Sequence, residues 1–151
     1  MNRRFVFVLF AAAGLWMGSC GGKTQQAVPT KAALVQTLRD LLAALEAGDD
    51  ERALTYLFPL PGVSLESLPD LRSDLLKRGE ISADGIDYLE QTGEFGELDD
   101  LLRDRGKAIA ARAGVNENHC YVLTEDDAEA VGLWDGERFR ILYLDDIGKT
   151  K

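Results

Sequence analysis

One histidine and two cysteines are all that 151 residues offer a soft or borderline metal. Structural zinc takes four ligands from His, Cys and carboxylates, and nothing near His119, Cys20 or Cys120 supplies the remaining ones at metal spacing. Basic residues are in the minority, 17 Lys and Arg against 26 Asp and Glu, for a net charge of −9. Such a surface repels phosphate backbones and anionic headgroups, which excludes nucleic acid as a partner. Motifs of known chemistry are missing too. There is no Gly-x-Ser-x-Gly nucleophile elbow, no phosphate loop and no dinucleotide fingerprint. The acidic clusters Asp49-Asp50, Asp99-Asp100, Glu125-Asp126-Asp127 and Asp145-Asp146 do not follow the Asp-x-Asp-x-Asp-Gly calcium loop with its distal Glu. Neither a cofactor nor a metal is expected, and no residue is assigned a catalytic role.

What the chain does have begins at its first residues. Arg3 and Arg4 precede an uncharged run from Phe5 to Met17. That run falls short of the roughly 20 residues of a membrane-spanning helix and has the proportions of an export signal. It closes on Leu15-Trp16-Met17-Gly18-Ser19-Cys20. Small residues at Gly18 and Ser19 suit a cleavage site. This segment resembles a bacterial lipoprotein signal, with Met17 where the pattern usually has Leu. The resemblance implies cleavage between Ser19 and Cys20 and a lipid, palmitate included, on Cys20. Gly21 in place of Asp then implies the outer membrane, facing the periplasm or the cell surface. Without residues 1–19 the chain keeps 15 basic and 26 acidic residues, a net charge of −11. Residues 20–29, polar and small through Gln25-Gln26, are expected to form a lipidated flexible tether. Residues 30–148 are the size of a single domain, with 149–151 as a tail.

The first half of that domain has helical periodicity. Leu34, Leu38, Leu41, Leu42 and Leu45 recur at helical spacing between a capping Thr30 and a terminating Gly48. Asp49 or Asp50 opens a second, short helix carrying Ala53, Leu54, Leu57 and Phe58, stopped by Pro59, Pro61 and Gly62. A third starts near Ser67 with Pro69 in its first turn and ends before Gly79. Ser82 opens a fourth, through Ile86 and Leu89 to Gly93. A fifth is expected from Glu97 to Ala113. Glu94, Glu97, Asp99 and Asp100 lie at its start and Arg103, Arg105, Lys107 and Arg112 further on, which complements the helix dipole, and Asp99 has pair spacing with Arg103. The acidic start is taken as a solvated helix end.

After Cys120 the period changes to two. Cys120–Thr124, Ala128–Trp134 and Glu137–Leu144 are expected to form three antiparallel strands. Asp135-Gly136 is a strong signal for a two-residue hairpin, which sets Trp134 opposite Glu137, Gly132 opposite Phe139, Ala130 opposite Ile141 and Ala128 opposite Tyr143. A three-residue turn at Glu125-Asp126-Asp127 then pairs Thr124 with Ala128, Val122 with Ala130 and Cys120 with Gly132. On this register one face carries small and large residues suited to packing leucine-rich helices. The other, with Leu133, Val131, Glu129, Arg138, Arg140 and Leu142, is mixed and only partly covered. Cys120 is expected in the core beside Phe139, and His119 on the mixed face near Arg138. Neighbouring strand residues point to opposite faces, so Cys120 and His119 cannot form a catalytic pair. A buried Cys120 is equally unsuited to a disulfide with Cys20.

Helices followed by a bent meander resemble the cystatin-like folds of the nuclear-transport-factor-2 superfamily. The residues carrying the resemblance are Leu42-Ala43-Ala44-Leu45-Glu46-Ala47-Gly48-Asp49-Asp50 with Ala53-Leu54, and the hairpin Leu133-Trp134-Asp135-Gly136-Glu137-Arg138-Phe139-Arg140-Ile141. It covers about a third of the mature chain and assigns no active-site residue.

The expectation is therefore a single α+β domain, about five helices followed by a three-stranded antiparallel meander, held to a membrane through Cys20. The preferred function is a non-catalytic module binding an envelope protein or a small molecule. A small pocket enzyme, a hydrolase or isomerase using Asp145 or Glu129, is the competing class, and a structural anchor or spacer is a third. An exposed apolar patch at Leu133 and Val131 favours the first. A deep cleft joining a carboxylate to His119 favours the second.

Overall fold

Helix α1 (Lys31–Ala47) starts where the Thr30 hydroxyl accepts a hydrogen bond from the Ala33 amide at 3.2 Å, and ends at Gly48. The computed structural model describes residues 27–60, 63–77 and 79–148. Along α1, Leu34, Leu38, Leu41 and Leu45 are at most 1 % exposed. Each such leucine stabilises the fold by roughly 1.5–3 kcal/mol relative to an exposed one. Asp49 caps α2 (Asp50–Tyr56) and Ser82 caps α4 (Ala83–Thr92), each through a side-chain oxygen accepting a backbone N–H at 3.1 Å. Between them lies α3 (Leu68–Lys77), with Pro69 in its first turn. These caps match the sequence expectation because each is a local bond between a side chain and the backbone three residues on. Pro61 and Gly62 lie outside the described residues. Leu57 and Phe58 do not belong to α2. They run alongside the last strand instead, where the Phe58 amide donates to the Ile141 carbonyl at 2.9 Å.

The sheet has four antiparallel strands in the order β1-β2-β3-β4, not three. They are β1 (Glu94–Glu97), β2 (Cys120–Glu125), β3 (Ala128–Trp134) and β4 (Phe139–Asp145). The additional strand occupies residues expected at or just before the start of the fifth helix. Its four residues, Glu94-Phe95-Gly96-Glu97, carry no alternating apolar pattern; Phe95 ties them to the sheet by stacking on Tyr121, with ring centroids 5.7 Å apart. The expected fifth helix is divided into α5 (Leu98–Leu101) and α6 (Arg103–Ala113). The two lie so close that a β-carbon on Gly106 would stand 2.6 Å from Leu98 Cγ. Asp99 pairs with Lys107 at 3.1 Å, while the Arg103 side chain lies outside the described residues.

Both hairpin registers differ from expectation. At β2–β3 the turn uses two residues, Asp126-Asp127, with Asp126 in the left-handed region at φ 52°. Glu125 therefore pairs with Ala128, Val122 with Val131 and Cys120 with Leu133. This one-residue slip turns every β2 side chain to the other face. Cys120 is buried, but not beside Phe139. At β3–β4 the loop takes four residues because the Asp135 carboxylate accepts the amides of Glu137 and Arg138 at 3.0 and 2.9 Å. Trp134 then pairs with Phe139 and Gly132 with Ile141. A bulge follows, leaving Leu142 unpaired and setting Val131 opposite Tyr143, which moves Tyr143 off the face expected to hold Ala128.

Each face of the sheet carries its own core. On one, Leu123, Ala130, Phe139 and Ile141 pack against α1–α4. On the other, Cys120, Val122, Val131 and Leu142 meet Leu98 of α5 and Ala110 of α6. On the face expected to be mixed and partly covered, α5 and α6 cover Val131, at 0 % exposed, and Leu142, while Leu133 and Arg140 stay half-buried. That face presents no apolar patch at Val131. No helix among the described residues is long and apolar enough to cross a membrane.

Two substitutions test this packing. Phe139→Ala removes a fully buried ring and should cost about 3–5 kcal/mol, read from the urea midpoint. Gly85→Ala places a β-carbon 1.3 Å from the Ile147 carbonyl oxygen. Backbone must move to admit it, so we expect a loss of about 1–3 kcal/mol or failure to fold.

Candidate functional site

A polar cluster lies on the α6 side of the sheet, at the end that carries the β2–β3 turn. Glu129 of β3 stands directly across the ladder from Asp145 of β4, so the two carboxylates share a face. The bulge brings Tyr143 to that face as well, and α6 lays Arg105 over the group. One Arg105 nitrogen donates to Glu129 Oε1 at 2.9 Å. The other donates to the Tyr143 hydroxyl at 2.7 Å and to Asp145 Oδ2 at 3.1 Å. The Tyr143 hydroxyl in turn donates to Asp145 Oδ2 at 2.8 Å, and the guanidinium carbon sits 5.5 Å from the Tyr143 ring centroid.

Burial dominates the electrostatics of this group. The Glu129 side chain is 9 % exposed and its Oε2 has no hydrogen-bond partner. Burial pushes the Glu129 carboxyl above its ordinary range; Arg105 opposes that shift and Asp145 adds to it. Burial likewise raises the Tyr143 phenol, helped by its bond to Asp145. The hydrogen bond to Tyr143 leads in holding the Arg105 guanidinium more firmly protonated, with Glu129 and Asp145 adding to it. A protonated Glu129 is a proton donor in form, but Arg105 engages Glu129, Tyr143 and Asp145 together.

Beyond the end of β4, a ligand atom from each of Glu80, Asp145 and Asp146 lies within 4.8 Å of the others. All-oxygen donors suit a hard cation. Asp145 Oδ2, however, already accepts two hydrogen bonds within the Arg105 cluster. Three partly exposed acids at a strand end are ordinary surface chemistry.

His119 is far from these carboxylates along the sheet. It closes a 3-10 turn (Glu117–His119) just before β2, at the opposite strand end, rather than on the sheet near Arg138. There it is exposed and lines an open groove of about 670 Å³ with Val28, Pro29, Val115, Leu133 and Trp134. Asp135 also borders this groove, but its carboxylate is committed to the turn. Burial works against its ionised form, and the backbone amides of Arg138 and Glu137 outweigh that and hold its pKa below the usual carboxylate value. The expected alternative of Glu129 or Asp145 working with His119 is therefore not assembled. A second cleft of about 200 Å³, lined by Leu57, Leu60, Val63, Leu71, Leu75 and Leu144 among others, is almost wholly apolar and lies where residues 57–58 cover β4.

Cys120 is a free thiol with 0 % exposure, its sulfur 3.6 Å from the Asn116 carbonyl oxygen. Burial, reinforced by Glu117, pushes its pKa up to about 11. It is a small buried apolar residue, as expected. Cys20 and Ser19 lie outside the described residues. The Arg105 cluster has no signature in sequence, since its members are separated by up to 40 positions. Only the sheet register and the bulge bring them together. No family model, no curated protein and no solved structure matches the chain.

Three outcomes follow from this geometry. Glu129 has a folded-state pKa above its unfolded one, so the fold prefers its neutral form. Its contribution to stability is complete below the ordinary carboxylate range and is lost as pH rises through the folded pKa. Glu129→Gln should therefore be at least as stable at pH 7 as the parent and show a flatter acid-side stability profile in urea unfolding. Arg105→Ala leaves a buried carboxylate unpaired and should cost roughly 1–3 kcal/mol at pH 7, a deficit that shrinks at pH 4. In a Cys20→Ser chain, thiol titration should find no reactive group in the native state and one in denaturant.

Proposed function

We propose that this chain is a membrane-anchored envelope lipoprotein whose domain acts as a non-catalytic binding module for a protein or small-molecule partner. The observation that carries the anchor is the segment itself: Arg3-Arg4, an uncharged run, then Gly18-Ser19-Cys20. Close behind it, Ala27, Val28 and Pro29 already lie against the folded domain at the groove of His119 and Trp134. A non-catalytic role is supported by the commitment of the carboxylates. Glu129 and Asp145 are held by Arg105, Asp135 is held by its turn, and His119 sits at the other end of the sheet from the first two. The groove is an open, largely apolar contact surface with a few polar groups at its rim.

The intact mass of the protein from the membrane fraction of its own host tests the anchor. A chain beginning at Cys20 with added acyl mass is expected there, and a Cys20→Ser variant should leave the membrane fraction. An unacylated mature chain in the soluble fraction would overturn the proposal.

A further inference from the structure

The groove lies where the tether enters the domain. Its walls include Val28 and Pro29, only a few residues beyond Cys20. Six residues separate Cys20 from Ala27, a reach of roughly 25 Å when fully extended. A lipid on Cys20 therefore holds this end of the domain within roughly 25 Å of the headgroups. Val28, at 71 % exposed, is the most exposed large hydrophobic residue among those described. Trp134 stands on the same groove, half-buried, with its ring edge on Phe139 at 4.9 Å between centroids. Amphipathic Trp side chains favour the headgroup level of a bilayer, where one part of the ring is apolar and the other wet.

Charge is distributed to suit the same orientation. The pairing of Glu94 with Thr124 and of Glu129 with Asp145 puts Glu94, Glu125, Asp126, Asp127, Asp145 and Asp146 together at the far end of the sheet. At the groove end, Asp135 has Arg138 and Arg140 within 3.9 and 3.6 Å. A bilayer contact at the groove leaves most of the sheet's acids facing away from it.

Resting on the lipid anchor proposed above, we infer that the groove of Val28, Pro29, Val115, His119, Leu133 and Trp134 seats the domain on the bilayer surface. The lipid it fits is zwitterionic, since a chain of net charge −11 after Cys20 repels anionic headgroups. The apolar area is too small to bring a free domain to a membrane. Tethering changes that, because a short linker supplies an effective concentration on the order of millimolar and makes a weak contact intramolecular.

Trp134 is the only tryptophan from Cys20 onward, and Cys120 is buried, so the chain carries its own probe and a single reactive thiol. The chain from Cys20 onward is coupled through Cys20 to a maleimide lipid in phosphatidylcholine vesicles, with and without brominated acyl chains. The proposal expects Trp134 emission to shift to shorter wavelength on coupling and to be quenched by the brominated lipid. It also expects Val28→Asp, an exposed position whose change leaves the urea midpoint unaltered, to lose most of that quenching. Emission identical to that of the uncoupled Cys20→Ser chain would overturn the seat. So would quenching that Val28→Asp leaves intact, because another face would then touch the lipid. Emission of the soluble chain that shifts with protein concentration would assign the groove to a second copy and equally overturn it. This coupling does not depend on acylation in the host, so a failed seat is distinguished from a failed anchor, which the native mass alone decides.

Discussion

Phe139 is the side chain on which both halves of the fold converge. It is fully buried, with Trp134, Tyr121 and Phe95 at 4.9, 5.9 and 6.3 Å between ring centroids, so one residue from each strand meets at its ring. Gly132 lies beneath it, and a β-carbon there would come within 2.9 Å of both Phe139 and Leu34 of α1. The helix that supplies most of the leucine core is therefore docked at the point where the strands meet. Edge-to-face contacts of this kind contribute about 0.5–1.5 kcal/mol each beyond area burial. Their larger effect is to fix the positions of β1, β2 and β4 relative to α1. The bulge at Val131/Gly132 follows from the same seat. It lets β4 keep Phe139 and Ile141 on the α1 side while Leu142 and Tyr143 turn to the α6 side.

The polar chemistry of the domain is what that arrangement leaves over. Once Tyr143 is turned to the α6 side, its hydroxyl and the Glu129–Asp145 pair share one corner, and Arg105 closes it. A buried carboxylate with one orphaned oxygen is usual in catalytic clefts, and a structural ion pair produces it as well. Here the arginine bonds all three neighbours, and the only histidine is at the other end of the strands. The cluster joins α6 to β3 and β4. The groove at the opposite end carries Val28, the most exposed large hydrophobic residue among those described. One end of the sheet is thus an ion-paired cluster under Arg105, and the other an open, largely apolar groove.

Helices were legible in the residues because their ends are local. Thr30, Asp49 and Ser82 bond amides three positions away, so the signal and its consequence fit in one short window. The α+β order and the leucine stripe of α1 follow from the same short-range pattern. Strand register was not legible, because it turns on single backbone choices. Asp126 adopts a left-handed conformation that shortens one turn by a residue, and the Asp135 carboxylate lengthens the next by bonding two amides. Neither choice alters composition or period, yet the first reverses every side chain of β2. Strand β1 was hidden for a different reason. Two of its four residues are Glu and one is Gly, and it exists through the contact of Phe95 with a ring 26 positions away. The Arg105 cluster depends on the β3–β4 register and its bulge, and was invisible for that reason.

The route from β1 to β2 has a kinetic consequence. β2, β3 and β4 are joined by tight turns and pair as sequence neighbours, whereas β1 reaches β2 only after α5, α6 and a 3-10 turn have been laid across the sheet. Closing that long loop carries an entropic cost that the two hairpins avoid. The meander is therefore expected to form first, with β1 added when the α5–α6 cap closes over Val122 and Val131. Opening should run the other way, with β1 and the cap leaving together as one cooperative unit while Phe139 and the meander stay protected.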